Sequence, residues 1–412
     1  MQINNKQSKF IKNTCMLYLL SAAKMLFPFL TFPYLTRVLS VDGYALLAYV
    51  KAAMSYMQMW VDFGFMLSAT KDIARAGRNI PLINQIVTNT ILARVLLGVT
   101  GAAALAFLSA LIPLLRQNLL FVWLSYVAIF LSCFMTDYLF RGIEQMHEIT
   151  IRFVTMKGIS TALTFVVVHS DADLLYIPIL DIVSSAVALI LIYFQFGKYN
   201  VRLIKPSLRR AWEYLKESAE YFMSHVATTA FGALNTLLIG IFLPEADIAM
   251  WSVALQLILV IQMCYGPILD VIYPEMMLHK SLGLIKKLFL IFMPLVGAGC
   301  VICYWGAPLL ITIAAGDKYM AAVPIFRLLL PVLFLGFPAM LCGWSTLGAI
   351  GKIRQTTLTT VISACTQCAG LGILILGGMF TVPMVAVVRD ITESVLLGTR
   401  VSLVIKYRKE FS

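Results

Sequence analysis

LLYIPILDIVSSAVALILIYFQFGKYNVRLIKPSLRRAWEYLKES, residues 174–218, carries the pattern that decides the fold. Its first part, 174–196, is an apolar run interrupted by Asp181 and a few polar side chains. It is long enough for a helix to cross a hydrocarbon core, which takes about 20 residues at roughly 1.5 Å each. The stretch that follows, 197–217, is the longest and most basic connection in the chain, with Lys198, Arg202, Lys205, Arg209, Arg210 and Lys216. A span running into such a loop places that loop on the cytoplasmic side of a membrane. Pro206 and Ser207 favour a helix start. After them Leu208, Trp212 and Leu215 share one face, while Arg209, Arg210, Glu213 and Lys216 face away, the pattern of a helix lying on a membrane surface.

The same alternation runs outward in both directions. Apolar segments are expected near 13–36, 45–68, 82–111, 117–140 and 150–169 before this stretch, and near 218–242, 249–273, 286–314, 324–348, 356–378 and 383–405 after it. The composition agrees: 60% of the 412 residues are hydrophobic and 13% charged, with a mean hydropathy of +0.88, too apolar for a water-soluble fold of this length. Of the 32 lysines and arginines, 22 fall on every second connection and only Arg37, Arg116 and Lys318 on the others. The expectation is an all-α integral membrane protein with twelve transmembrane helices in two six-helix lobes. Residues 1–196 form the first lobe, 197–217 a cytoplasmic basic linker and 218–412 the second, and both termini are cytoplasmic. The net charge of +12 then reflects topology and contact with membrane lipids, and no nucleic-acid module accompanies it. The first apolar run follows a basic start but is long, contains Lys24 and lacks a small-residue cleavage pattern, so it is expected to remain as a helix.

The halves echo one another at an offset of 204 residues. Ser21, Lys24, Pro28 and Thr31 fall on His225, Thr228, Gly232 and Asn235, and Gln58 falls on Gln262. Each first set lies on one helical face, which in lipid suits a lining for water, cargo or another helix. Seven basic residues sit inside spans: Lys24, Lys51, Arg94, Lys157, Arg327, Arg389 and Arg400. An ionised side chain near the bilayer centre costs about 2.5–3.5 kcal/mol, so it faces a wet interior or a partner. Lys51, Ser55, Gln58 and Asp62 form one stripe, and Arg389, Glu393 and Arg400 another. The expected substrate-binding cations are Lys24, Lys51, Arg94 and Arg389. The expected cavity lining is Ser21, Thr31, Ser55, Gln58, His225, Thr228 and Asn235, with Asp62, Asp270 and Glu393 in gating or ion coupling. Lys157, Arg327 and Arg400 read as side chains snorkelling to a membrane face, and Arg152 as part of a cytoplasmic loop.

A cationic chamber suits an anionic head group, since lysine and arginine are natural phosphate partners. The spacings Cys300/Cys303 and Cys365/Cys368 lie in apolar helices without histidine partners, so they read as packing and no metal is expected. No phosphate-cradling loop for ATP and no catalytic motif occurs, so neither a cofactor nor enzyme chemistry is expected.

Residues 32–74, FPYLTRVLSVDGYALLAYVKAAMSYMQMWVDFGFMLSATKDIA, resemble the start of O-antigen and polysaccharide flippases, the Wzx-type branch of the multidrug/oligosaccharidyl-lipid/polysaccharide exporter (MOP) superfamily. The resemblance rests on P-Y-L-T-R-V-L at Pro33–Leu39, D-F-G-F at Asp62–Phe65 and A-T-K-D-I-A at Ala69–Ala74, in order. Departures are Ser40 and Ala45 where glycines are usual, and Lys71-Asp72 in place of Arg-Glu. The resemblance implies a MATE-like fold around a central cavity. It also implies movement of an undecaprenyl-diphosphate-linked oligosaccharide from the cytoplasmic to the periplasmic leaflet of a bacterial inner membrane by alternating access. Proton or sodium coupling and partnership with a polysaccharide polymerase and chain-length regulator are further family-level implications. A drug or cation antiporter of the same superfamily would want an acidic interior, and a membrane-embedded glycan polymerase or ligase a large outward loop. A fourteen-span lipid II flippase would need two further helices.

Overall fold

The computed structural model describes the backbone of residues 2–411, and their side chains apart from residues 2–11, 223–225, 227–231, 270 and 274. The described residues are helical or in short connections, with no strand among them. Two compact units can be distinguished, Met1–Val226 and Ala227–Ser412.

The first unit contains α1 (Gln2–Val38), α2 (Val41–Asp62), α3 (Phe65–Ala76), α4 (Ile80–Leu111), α5 (Pro113–Gln117), α6 (Leu119–Ser132), α7 (Asp137–Gly142), α8 (Met146–Val167) and α9 (Tyr176–Lys198), and α10 (Leu208–Phe242) as far as Val226. Helix starts are chemically marked. Ser40 caps α2 by accepting from the Gly43 amide at 2.9 Å, and its own amide donates to Asp171 Oδ1 at 2.9 Å. Asn79 caps α4 through the Leu82 amide, with Pro81 in the first turn.

Two predicted spans are clearly broken, 117–140 between α6 and α7 at residues 133–136 and 45–68 at a left-handed turn. The segment expected as a helix over 45–68 ends at Asp62, because Phe63 (φ 39°) and Gly64 (φ 79°) turn left-handed before α3 begins. That turn is where α10 docks: the Phe63 ring stacks on Phe222 with centroids 4.3 Å apart, and the Ser68 and Ser218 hydroxyls meet at 2.6 Å. Ala211 and Leu215 of α10 are buried in a cluster with Phe65, Ala93 and Leu97.

The basic stretch before α10 is pinned to α4. The amides of Arg202, Ile204 and Ser207 donate to Asn84, Thr88 and Asn89 at 2.9, 3.1 and 2.8 Å. The surface helix expected after Ser207 and the span expected from 218 are one continuous helix. Leu208 and Trp212 are exposed while Ala211 and Leu215 are buried, so the face turned inward is offset from the predicted one.

The second unit contains α11 (Glu245–Met263), α12 (Tyr265–His279), α13 (Leu282–Ala314), the short α14 (Val323–Leu328), α15 (Leu330–Met340), a π-helical segment Leu341–Gly348, α16 (Ile353–Leu376) and α17 (Val382–Lys406). The backbone kinks at Gly343 inside the π segment, which releases carbonyls from the helical ladder. Arg400 meets this need: its Nη1 donates to Ala339 O at 2.7 Å, and Nε and Nη2 to the Thr359 and Thr360 hydroxyls. It is buried, which corrects the expectation of a snorkelling side chain.

Helix fills most of each predicted segment, with interruptions at 63–64 and 133–136. Among the described residues, nine helical segments are long and apolar enough to cross a membrane. Of those outside that set, α2 carries Lys51 and Asp62 and α17 carries Arg389, Asp390, Glu393 and Arg400, while in α10, described in part, Gly232–Phe242 is a shorter apolar stretch. Large apolar side chains point outward, as lipid as solvent requires: on α13 Leu290, Ile302 and Trp305 are each more than two-thirds exposed.

Candidate functional site

The first unit encloses a cavity of about 540 Å³. α1 contributes Lys24; α2 contributes Lys51, Gln58 and Asp62; α4 contributes Arg94; α8 contributes Arg152 and Lys157; α9 contributes Asp181; and Asp137 opens α7. The rest of the lining is apolar or hydroxylic, with Leu20, Met54 and Ile177 beside Ser125, Ser132, Ser184 and Ser185.

Sequence spacing explains why these side chains meet. Lys51, Gln58 and Asp62 recur at seven and four residues, one face of a helix. Arg152, Phe153, Met156 and Lys157 recur at i, i+1, i+4 and i+5 on α8 and likewise line the cavity. Five cations and three carboxylates share the space, and each carboxylate holds one cation. Arg94 Nη2 lies 2.8 Å from Asp62 Oδ1, and its Nη1 donates to Met135 O at 2.6 Å. Lys157 Nζ lies 2.6 Å from Asp181 Oδ1, and Arg152 donates to Asp137. Pairing of this kind offsets the desolvation of charge.

Lys24 and Lys51 differ from the other three. Among the described residues neither has a carboxylate within salt-bridge distance, and both side chains are exposed in the cavity. Lys24 Nζ sits 5.6 Å from the Phe153 ring centroid, a favourable cation–π placement.

Of the residues predicted for a site, Lys24, Lys51, Arg94, Gln58 and Asp62 line this cavity. Ser21, Thr31 and Ser55 do not. The Thr31 hydroxyl donates to Phe27 O and Pro28 O, and Ser55 to Lys51 O, so these two are satisfied by their own helices. Asn235 is buried in the second unit, where Gln367 donates to it at 2.8 Å and Thr392 donates to Gln367 at 2.6 Å. Arg389 and Glu393 pair with each other at 3.1 Å one turn apart on α17 and do not line the cavity. His225, Thr228 and Asp270 lie outside the residues whose side chains are described. Sequence reading missed Arg152 and Lys157 as lining residues: Arg152 is in α8 and buried, and Lys157 is held in the cavity by Asp181.

A second cavity, about 210 Å³ and apolar, lies in the second unit between α12, α13 and α15, lined by Tyr265, Phe292, Phe337, Cys264, Cys300 and Cys303 among others.

Comparison with known proteins places this geometry in a family. Residues 10–278 match the family described as polysaccharide biosynthesis protein. A protein of Escherichia coli (strain K12) named as an O-antigen transporter is 25% identical over 343 residues, covering 81% of this chain and 82% of its own. One of Shigella dysenteriae with the same name is 28% identical over 316 residues, covering 75% and 78%. Among solved structures, an inward-facing multidrug resistance MATE family transporter of the MOP superfamily aligns with a TM-score of 0.62 at 14% identity, covering 93% of this chain and 99% of that one. At that identity the likeness speaks for the fold alone. The chain belongs to the polysaccharide biosynthesis protein family, as a multi-pass membrane transporter with the MOP-superfamily fold.

Proposed function

We propose that this protein is a flippase that carries an undecaprenyl-diphosphate-linked oligosaccharide, an O-antigen or related repeat unit, from the cytoplasmic to the periplasmic leaflet of a bacterial inner membrane. The observation that carries the reading is the charged cavity inside a bundle of apolar helices, in which cations outnumber carboxylates five to three. A diphosphate-sugar head is polar and anionic. Its passage through hydrocarbon calls for a compartment that replaces water with donors and positive charge, while the lipid tail stays in the bilayer. The serine hydroxyls and Gln58 around the cavity suit sugar hydroxyls. A carrier of cationic drugs would want the opposite sign of charge excess.

Alternating access by the two six-helix lobes is the mechanism in this reading, with both termini on the cytoplasmic side, where the basic connections lie. The protein performs no covalent chemistry. Its driving force is an ion gradient or downstream consumption of the glycan, and the polymerase and chain-length regulator that use the product are its functional neighbours.

The test replaces Lys24, Lys51 and Arg94 separately by alanine in cells whose surface glycan depends on this protein, and measures export of lipid-linked glycan at matched membrane levels. Export is expected to fall at least about tenfold for a lost charge-assisted contact. Full export in all three would remove the cavity as the cargo site.

A further inference from the structure

We propose that residues 202–212, which join α9 to the first turns of α10, form a binding surface for an anionic phospholipid of the adjacent leaflet, the cytoplasmic one in the reading above. The inference rests on the chain being a membrane protein and not on the identity of its cargo.

Charge and apolar surface are interleaved here. The stretch holds four cations, Arg202, Lys205, Arg209 and Arg210, and no carboxylate. Arg209 pairs with Glu213 one turn further on. Among the described residues no carboxylate lies within salt-bridge distance of the other three. Between these cations stand Leu203, Ile204, Leu208 and Trp212, each between 44% and 67% exposed. Lys216 Nζ lies 5.9 Å from the Trp212 ring centroid and adds a fifth cation at the edge. Cations alone would make a solvated face, and apolar side chains alone a contact for hydrocarbon. Together they fit an amphiphile with an anionic head, whose chains cover the leucines and the indole while its phosphate meets the lysine and arginine tips.

The apolar side chains are held outward. The amides of Arg202, Ile204 and Ser207 are bonded to Asn84, Thr88 and Asn89 of α4, and Val201, Ala211 and Leu215 fill the inward side. Turning Leu208 and Trp212 inward would expose Ala211 and Leu215 in their place. The stretch also sits at a membrane face. The apolar helix before it ends at Lys198, and four residues advance at most about 14 Å, so Arg202 stays close to the end of that crossing. A phospholipid bound here grips the first turns of α10 and so holds that helix against the turn at Phe63–Gly64.

The test places the full-length protein in nanodiscs of phosphatidylcholine containing a minor share of either phosphatidylglycerol or phosphatidylcholine with brominated chains, which quench tryptophan on contact. The Trp212 signal is the difference between the unmodified protein and Trp212→Phe. Each cation beside an anionic surface favours it about fivefold, so quenching of this signal should show a preference for phosphatidylglycerol of about tenfold or more. The double variant Arg202→Gln with Lys205→Gln should bring the preference to within about fivefold of unity. Lys286→Gln with Lys287→Gln, two exposed lysines at the start of α13, should leave it unchanged.

Quenching by neither brominated lipid would overturn the proposal and leave the surface to water or to an acidic protein. Equal quenching by both would overturn it as well, as apolar contact without recognition of charge. A preference kept by the 202/205 variant, or lost equally in the 286/287 variant, would show a response to net charge alone and no surface of this kind. Glycan export plays no part in the readout, so the flippase reading stands or falls separately.

Discussion

Gly64→Ala should destabilise this protein more than any other single methyl added to a glycine of its first unit at a left-handed position, and the structure gives the magnitude. Gly64 has φ +79°, a region in which a side chain costs about 1 kcal/mol or more. A Cβ at this position would sit 2.7 Å from Tyr221 Cβ, 3.0 Å from the Phe222 amide nitrogen and 3.1 Å from Ser218 O. These atoms belong to the backbone of α10 or are fixed to it, so no rotamer change relieves the overlap. α10 has to move, which disturbs the Phe63–Phe222 stack and the Ser68–Ser218 hydrogen bond. Overpacking of this kind adds about 1–3 kcal/mol, for a total of about 2–4 kcal/mol. The contrasting substitution is Gly372→Ala in α16, where nothing lies within 4 Å of the added carbon. There, helix propensity predicts no loss and a gain of up to about 1 kcal/mol. Thermal unfolding of both purified variants in the same detergent, followed by tryptophan fluorescence, measures the difference. A Gly64→Ala midpoint equal to or above that of Gly372→Ala would refute the docking of α10 on this turn.

Three further outcomes follow from the same contacts. Arg400→Leu strips the donor from Ala339 O at the π-helical kink and should cost about 2–4 kcal/mol, read as a lowered unfolding midpoint, because a charged donor to a buried carbonyl is lost and the carbonyl left bare; an unchanged midpoint would show that the kink does not need it. Asn89→Ala removes the acceptor for the Ser207 amide, a bond of about 1 kcal/mol, so trypsin should cut the 202–205 stretch several-fold faster in native protein, and an unchanged cleavage rate would count against the pinning of that stretch to α4. Asp171→Ala frees the Ser40 amide at the start of α2 and should lower the midpoint by an amount equivalent to about 1 kcal/mol, whereas Asp42→Ala, whose side chain holds no such loop, should move it less.

Much of the helix layout was legible because lipid as solvent imposes a length and a charge asymmetry on each crossing, and both survive as a one-dimensional pattern. The stripe on α2 was legible for the related reason that charge inside a span must face something polar, and three of its four members, Lys51, Gln58 and Asp62, line the cavity. Hydroxyls misled. Thr31 and Ser55 mark a polar face only on paper, since a threonine or serine in a helix satisfies itself on the carbonyl one turn back. Arg152 lies at the very start of the expected 150–169 span and reads as loop, whereas α8 begins at Met146, and helix ends are the weakest part of a hydropathy reading. The signal that would have recovered it is the face 149, 152, 153, 156 and 157, apolar in the middle and cationic at two points. The break at Phe63–Gly64 was also written in the chain, in a D-F-G-F motif quoted for resemblance and not for the left-handed turn that its glycine permits.

The net field of the cavity could not be read from sequence at all, and the reason bears on function. Arg94 and Asp62 are 32 residues apart, Lys157 and Asp181 24, and Arg152 and Asp137 15, so each pair is made by tertiary packing of different helices. A list of intramembrane charges treats all five cations alike. Packing divides them into three that are neutralised in place and two that are not, and only the second group can change its free energy greatly when an anion arrives. The substitution that best separates these roles is not the removal of a lysine, which any charge-dependent transporter would notice, but the removal of a carboxylate. Asp62→Asn would leave Arg94 with its bond to Met135 O and an unspent charge. If the paired arginine is only a counter-ion, that extra charge should raise affinity for an anionic head and slow its release, lowering export without loss of binding. If Arg94 already served the cargo directly, removing its competitor should raise export as well as affinity, and a gain in both would refute the division of the cavity into paired and free cations.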